Sequence, residues 1–186
     1  MSVTLEWHGP YPLSAFPRRS ELGIQFNVPG VYLWVEDLPN QVGKRLSYVG
    51  KASGKPTLYT RQLQHYAYTV GGLYMIPREY RDERTKWAVD WKRPECVSVM
   101  LDEEQFIRVV RDGFRLAAAT AVYLAPYRDG DLGVLEANLL YALQPTGTDR
   151  GTRYPPKTRV EVLHTGATLW ICPDTRRQFR EESLVI

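Results

Sequence analysis

Two neighbouring runs carry the β-branched and aromatic residues that are typical of strands. They read GVYLWVE from Gly30 and RLSYVGKA from Arg45. The segment between them, DLPNQVGK, supplies the Asp, Pro, Asn and Gly that favour a turn. The pattern therefore predicts an antiparallel hairpin.

After the hairpin, the spacing of the apolar residues changes to a helical period. The segment TLYTRQLQHYAYTV predicts a helix with Thr57 as its N-cap. Arg61 and His65 share one face of this helix because they lie four residues apart. The clearest helical pattern is DLGVLEANLLYALQP, residues 131–145, whose leucines form one stripe and whose final proline ends the helix.

The remaining segments have weaker patterns. Prolines and glycines are frequent in residues 1–29, which indicates a lead-in with little regular structure. ECVSVML predicts a strand, and DEEQFIRVVRDGF predicts a short helix with acidic residues at its start and a glycine near its end. LAAATAVYLAPY predicts a further strand, and RVEVLHTGATLWIC indicates a closing hairpin around Gly166.

Composition fits one globular domain, residues 1–186, of which 44% are hydrophobic. The net charge of +3 permits an anionic partner without identifying one, and the basic excess lies in residues 1–65, with seven Lys/Arg against four Asp/Glu. Cys96 and Cys172 form no C-x-x-C pair, so a cytoplasmic protein without a zinc site is the simpler interpretation. No apolar run approaches the roughly 20 residues of a membrane span.

Several single residues are candidates for chemistry, but each also has an ordinary explanation. Glu136 is the only acidic residue between Asp131 and Asp149, and it lies beside the leucine stripe. It could equally be an exposed charge. Tyrosines in strands and an arginine on a helix surface are common in any fold, so only their combination has weight.

That combination resembles the GIY-YIG nuclease superfamily. GVY at Gly30–Tyr32 corresponds to the first tripeptide of the family, and YVG at Tyr48–Gly50 corresponds to the second. LYTRQLQH matches the family's Leu-x-x-Arg followed by His or Tyr, and LEANLLYALQP matches its glutamate helix with a terminal proline. The versions YVGKA and LEANLL look most like the incision domain of the bacterial excision-repair nuclease. The resemblance covers residues 30–61 and 134–145.

The resemblance implies an α+β fold with a small three-stranded antiparallel sheet flanked by helices, in which TAVYLA is the third strand. The hairpin and Arg helix would occupy residues 30–69, and the third strand and Glu helix residues 116–145. An insertion, 70–115, and a C-terminal extension, 146–186, would surround them. Six polar residues would then lie around one cleft. They are Tyr32, Tyr48, Lys51, Arg61, His65 and Glu136.

The implied activity is metal-dependent hydrolysis of DNA phosphodiester bonds by water. Glu136 would bind Mg²⁺ or Mn²⁺, and Arg61 would stabilise the negative charge of the transition state. Tyr32 is our first candidate for the general base and His65 its helper, with Lys51 lowering the pKa of the phenol. Tyr48 would position the water or the phosphate. In the hairpin the two tyrosines would lie side by side, and the glycine of YVG would leave room for a backbone or a phosphate.

Contacts with DNA have two candidate regions. The insertion mixes basic and aromatic residues, which suits a phosphate-contacting surface or an ordinary salt-bridged helix. The better candidates for binding the substrate lie after the Glu helix, although an ordinary basic loop explains them equally. They are Arg150, Arg153, Lys157 and Arg159.

Other functions remain open at this point. Family members often carry an Asn shortly after the helix-ending proline, where this chain has Thr148. A nucleic-acid-binding module that has lost catalysis, or a nuclease for RNA or branched DNA, would have the same motifs. A homo-oligomer is possible, since symmetric cutting of both strands favours a dimer.

Overall fold

The computed structural model describes residues 2–37, 44–74, 76, 80, 101–145, 155–166 and 184–185. Within these residues the fold is mixed α+β, with one sheet and four α-helices. The sheet order is β3-β2-β4-β1-β5-β6. Its strands are β1 (Ser2–Pro12), β2 (Gly30–Asp37), β3 (Lys44–Ala52), β4 (Thr120–Pro126), β5 (Glu161–Gly166) and the two-residue β6 (Leu184–Val185).

The predicted hairpin and third strand form one end of this sheet. β2 is antiparallel to both β3 and β4, with Tyr32 opposite Gly50 on one side and opposite Leu124 on the other. The antiparallel trio that the sequence predicts is therefore present. The turn that joins β2 to β3 lies outside the described residues.

The expected three-stranded sheet is nevertheless too small. β1 pairs antiparallel to β4 and parallel to β5, so it extends the sheet beyond the trio. Residues 2–7 alternate strictly between exposed and buried side chains, with Val3, Leu5 and Trp7 buried. The expectation of an irregular lead-in was wrong because this period-two signal was given less weight than the neighbouring prolines and glycines.

The four helices are α1 (Ser20–Gln25), α2 (Leu58–Val70), α3 (Glu103–Ala119) and α4 (Leu132–Leu143). Thr57 caps α2 as predicted, in a reciprocal capping box with Thr60. Asp131 caps α4 by accepting hydrogen bonds from the backbone N–H groups of Gly133 and Val134. These polar caps explain why the starts of both helices could be predicted from local sequence.

The third helix is longer than predicted, because it includes the LAAA that we had assigned to the following strand. Leucine and alanine are strong helix formers, and the chain becomes extended only at Thr120. Gly113 is consequently inside α3 rather than near its end. A Cβ there would lie 2.5 Å from the carbonyl oxygen of Thr69, so this glycine allows α3 to pack closely on α2.

Helices cover both faces of the sheet, and the sheet separates two hydrophobic clusters. On one face, α4 packs through Leu135, Leu139 and Leu143 against β2 and β3. On the other face, α1, α2 and α3 cover a cluster that includes Tyr32 and Leu124. Successive strand residues point to opposite faces, so neighbours along β3 belong to different clusters.

In the C-terminal segment, β5 pairs in parallel with β1 and antiparallel to β6. The second half of the predicted closing hairpin, after Gly166, falls on residues that the structure does not describe. Residues 167–183 lie outside the described part, as do both cysteines and the predicted strand ECVSVML apart from its final residue, Leu101. No described helix is both long enough and apolar enough to cross a membrane.

Candidate active site

The tyrosines of the two motif strands lie side by side beneath α2. The rings of Tyr32 and Tyr48 stack with centroids 5.9 Å apart and an interplanar angle of 25°. Tyr32 is fully buried, whereas Tyr48 is partly exposed. A Cβ on Gly50 would lie 2.5 Å from Tyr32 Cζ, so the space that this glycine leaves is filled by the phenol. The expectation that it admits a phosphate is therefore wrong for this structure.

His65 hydrogen-bonds through both ring nitrogens. Its Nε2 lies 2.6 Å from the Tyr32 hydroxyl, and its Nδ1 lies 2.7 Å from the hydroxyl of Tyr74. The imidazole also makes an edge contact with the Trp34 ring at 4.7 Å between centroids. Trp34 is held in turn by donating its indole N–H to Gln62 Oε1 at 2.9 Å. Packing thus holds the imidazole between two phenols.

Burial keeps these groups uncharged. It raises the pKa of Tyr32 far above its usual value; the nearby Tyr48 adds to the shift, and the Arg61 guanidinium opposes it. It lowers the pKa of His65 to about 3, with Arg61 contributing in the same direction. It also raises the pKa of Tyr74 to about 12. At neutral pH, Tyr32, His65 and Tyr74 are therefore all neutral.

Arg61 is the cation beside the tyrosines. Its guanidinium interacts with Tyr32, and one terminal nitrogen donates to Gln64 Oε1 at 3.3 Å. Its buried Nε has no hydrogen-bond partner among the described residues. A guanidinium has five N–H donors, so Arg61 can also donate to an anionic oxygen through its other nitrogens.

Lys51 and Glu136 form a separate pair. Lys51 Nζ lies 3.2 Å from Glu136 Oε2, and the two side chains are 36% and 23% exposed. Lys51 shares its face of β3 with Val49, which packs in the cluster under α4. Its contact is thus with Glu136, so Arg61, not Lys51, is the cation beside the Tyr32 phenol.

The six candidate residues therefore form two groups on opposite faces of the sheet. The tyrosine group contains Tyr32, Tyr48, Arg61 and His65, and the carboxylate group contains Lys51 and Glu136. Both groups include a residue of β3, which is the terminal strand of the sheet that the described residues form. A molecule that lies along this edge can reach both faces.

An open cleft of about 370 Å³ adjoins the carboxylate group. Its lining includes Lys51, Ser53, Arg128 and Asp131. Two cations and a hydroxyl are suitable contacts for a phosphate, although the Asp131 carboxylate opposes one and already accepts the Gly133 N–H at 2.7 Å. The cleft places further polar groups beside Lys51 that the sequence motifs did not identify.

Glu136 fits a hard divalent cation on chemical grounds. Its carboxylate is partly exposed, and a single carboxylate suits Mg²⁺, which retains several waters. The ammonium of Lys51 currently compensates its charge. No cluster of three or more His, Cys, Asp or Glu suited to a metal occurs among the described residues. Any bound metal would therefore depend on Glu136, water and the oxygens of a substrate.

Two of the four predicted DNA contacts lie in the described part of the chain. Arg150 and Arg153 lie outside the described residues, while Lys157 and Arg159 are both exposed. Buried Asn138 donates to the carbonyl of Thr158 and accepts from the N–H of Val160.

These bonds hold the 157–159 segment on one side of α4. Asn138 is two residues from Glu136, which corresponds to about 200° around a helix. The backbone at Thr158 and Val160 is therefore held at a different angle around α4 from Glu136.

Tyr74 is the participant that the sequence analysis missed. It lies beyond the end of α2 in a segment without periodicity, so no spacing rule connects it with His65. Its proximity follows from the turn at Gly71 and Gly72 after the helix. An additional tyrosine in a loop carries no signal by itself.

Comparisons with known proteins identify no relative. No protein-family model matches the chain, and neither the curated proteins nor the solved structures include a significant match.

Proposed function

We propose that this protein is a metal-dependent endonuclease of the GIY-YIG type that hydrolyses DNA phosphodiester bonds in the cytoplasm. One observation carries the proposal: the hairpin stacks the two motif tyrosines, and the motif histidine on α2 bonds directly to the first of them. Arg61 contacts the same phenol from the same helix. Four residues of the motifs thus lie together on this face of the sheet. They are Tyr32, Tyr48, Arg61 and His65.

The proposed substrate position is the β3 edge, with the scissile phosphate between the two groups. Arg61 and Lys51 would bind the phosphoryl oxygens, on which negative charge increases in the transition state. Glu136 would hold Mg²⁺ or Mn²⁺, which supplies Lewis-acid polarisation of the phosphate. Binding there requires Lys51 to release Glu136, at the small cost expected for an exposed ion pair.

The tyrosine pair would remove the proton of the attacking water. Tyr48 is the partly exposed member, so we assign it the contact with water, and buried Tyr32 takes up the proton behind it. This differs from the sequence-based expectation, in which Tyr32 met the water directly. A base must lie within hydrogen-bond reach of the proton that it takes, and Tyr32 has no exposed surface.

The deciding experiment is cleavage of supercoiled plasmid by wild type and Glu136→Gln, with Mg²⁺ or with EDTA, read on a gel. We expect metal-dependent nicks or linear fragments from wild type and a rate about 100-fold lower for the variant. Glu161→Gln is the matched control, because it removes an exposed carboxylate on β5. Equal cleavage by wild type and Glu136→Gln would disprove the metal role.

A second candidate is a nucleic-acid-binding module without catalysis. It is favoured by the Lys51–Glu136 pair, because the ammonium already neutralises the carboxylate that is proposed to bind the metal. This candidate predicts salt-sensitive retardation of the plasmid with no metal-dependent product. The same gel therefore distinguishes the two functions, and repeating it with RNA or branched DNA tests the substrate class.

A further inference from the structure

We propose that Tyr74 forms the outer end of a hydrogen-bonded relay with His65 and Tyr32, which carries a proton between the buried Tyr32 hydroxyl and solvent. The inference rests on the proposed function, in which the tyrosine pair takes up the proton of the attacking water. Tyr74 would be a positioning and relay residue rather than one that contacts the substrate.

The first support is the continuity of the contacts. Two short hydrogen bonds, of 2.6 and 2.7 Å, join a phenol to each nitrogen of one imidazole. Tyr32 is fully buried and His65 is 3% exposed, while Tyr74 is partly exposed. The three hydrogen-bonded side chains therefore lead from the interior to the surface, and each of them can carry a proton.

The second support is that burial disfavours every charged intermediate. A phenolate at Tyr32 and an imidazolium at His65 are both unfavourable, because each would be a poorly solvated charge. A concerted transfer of protons along the three residues forms neither the phenolate nor the imidazolium. The titratable groups that face the chain are Arg61 on the same helix, Tyr48 on β3, and Tyr68, whose ring makes an edge contact with Tyr74.

In the concerted step, Tyr48 takes the proton of the attacking water and passes its own hydroxyl proton to the Tyr32 oxygen. At the same time the Tyr32 hydroxyl proton moves to His65 Nε2. The proton on His65 Nδ1 moves to the Tyr74 oxygen, and Tyr74 releases its hydroxyl proton to solvent. Each internal group gains one proton and loses one, so all remain neutral. The net change is one proton from the attacking water to bulk solvent. Rotation of the hydroxyls and a change of tautomer at His65 restore the starting arrangement.

The test compares wild type, Tyr74→Phe and Tyr68→Phe in single-turnover plasmid cleavage with Mg²⁺. Tyr74→Phe keeps the ring but removes the hydroxyl, and we expect the cleavage rate to fall about 10-fold while KM is unchanged. Tyr68→Phe keeps its ring contact and should cleave like wild type. Thermal denaturation of each variant checks that the fold is retained. A Tyr74→Phe rate equal to that of wild type overturns the relay.

A second readout does not depend on activity. ¹⁵N NMR of the histidine side chains in wild type should show both His65 nitrogens hydrogen-bonded and the proton carried mainly by Nδ1. Tyr74→Phe should shift the Nδ1 resonance and leave His8 and His164 unchanged. An unaltered His65 spectrum overturns the relay even if the plasmid is cut. A shifted spectrum from a protein that cuts no substrate would retain the hydrogen-bonded chain and reject the nuclease.

Discussion

The two candidate groups on opposite faces of β3 differ in burial, charge and solvation. In the tyrosine group, Tyr32 and His65 are buried and Tyr48 and Arg61 are partly exposed. Its only charge is on Arg61, and its aromatic members are fixed by stacking and hydrogen bonds. The carboxylate group is one partly exposed ion pair beside an open cleft. The first arrangement is rigid because moving any member disturbs the core. The second can change partners, since water solvates both of its charges.

This contrast agrees with the two roles that we propose for the groups. Groups that must hold protons in defined places benefit from a closed environment, whereas groups that must bind and release an ion or a phosphate benefit from exposure. The predictions below test whether the two faces differ in rigidity and solvation as the structure indicates.

The largest expected effect is from Gly50→Ala, on the rigid face. The added methyl would lie 2.5 Å from Tyr32 Cζ and 2.7 Å from Tyr48 Cε1, and neither stacked ring can move freely. We expect the free energy of unfolding to fall by about 3 kcal/mol, measured by urea denaturation.

Gly133→Ala is the matched substitution on the flexible face. Its methyl would lie about 3 Å from Asp131 Oδ1 and Lys51 Nζ, which are the ends of exposed side chains. Alanine also favours the helix, so the free energy of unfolding should change by less than about 1 kcal/mol. Similar destabilisation by both substitutions would remove the distinction between the faces.

The next effect is acid destabilisation through His65. The pKa of this imidazole is about 3 in the folded protein and about 6.5 when unfolded, so between these values only the unfolded state binds the proton. Stability should therefore decrease as the pH falls below 6.5, by about 2 kcal/mol at pH 5. Denaturation curves at pH 7 and pH 5 measure this.

His65→Gln is the control for this effect, because it removes the titrating group. His164, whose pKa burial lowers to about 4, contributes in the same direction and should keep its share in that variant. An equally steep pH dependence in His65→Gln would show that the imidazole is not held neutral in the folded protein.

The smallest effect is expected from Lys51→Met. The pair with Glu136 is solvated, so its loss should change the free energy of unfolding by less than about 1 kcal/mol. Glu36→Ala provides the contrast, because Glu36 is 5% exposed and accepts from Arg45 at 2.6 Å. Its removal leaves the Arg45 guanidinium, which is 27% exposed, without its carboxylate partner and should cost more. A larger loss from Lys51→Met than from Glu36→Ala would show that the exposed pair is structurally important.

Sequence patterns predicted the parts of the site that depend on neighbours along the chain. The hairpin brings Tyr32 and Tyr48 side by side, and the Thr57 cap starts the helix that places Arg61 and His65 on one face. The role of Gly50 was misjudged because the sequence does not show that the Tyr32 ring occupies the space beside it. Tyr74 was missed for the same kind of reason, since a loop position has no periodic signal.

Local patterning therefore determined the hairpin and the helices α2 and α4, and the motif resemblance led to the α+β class, the antiparallel trio and the candidate residues. The packed fold decided that the described strands form a six-stranded sheet, that Tyr32 is fully buried, and that Glu136 faces Lys51 across the sheet from the tyrosines. The physical reason is the distance along the sequence between the residues that interact. Caps, turns and hydrophobic periods arise from residues a few positions apart, whereas burial, strand order and the assignment of side chains to a face arise from contacts between distant segments.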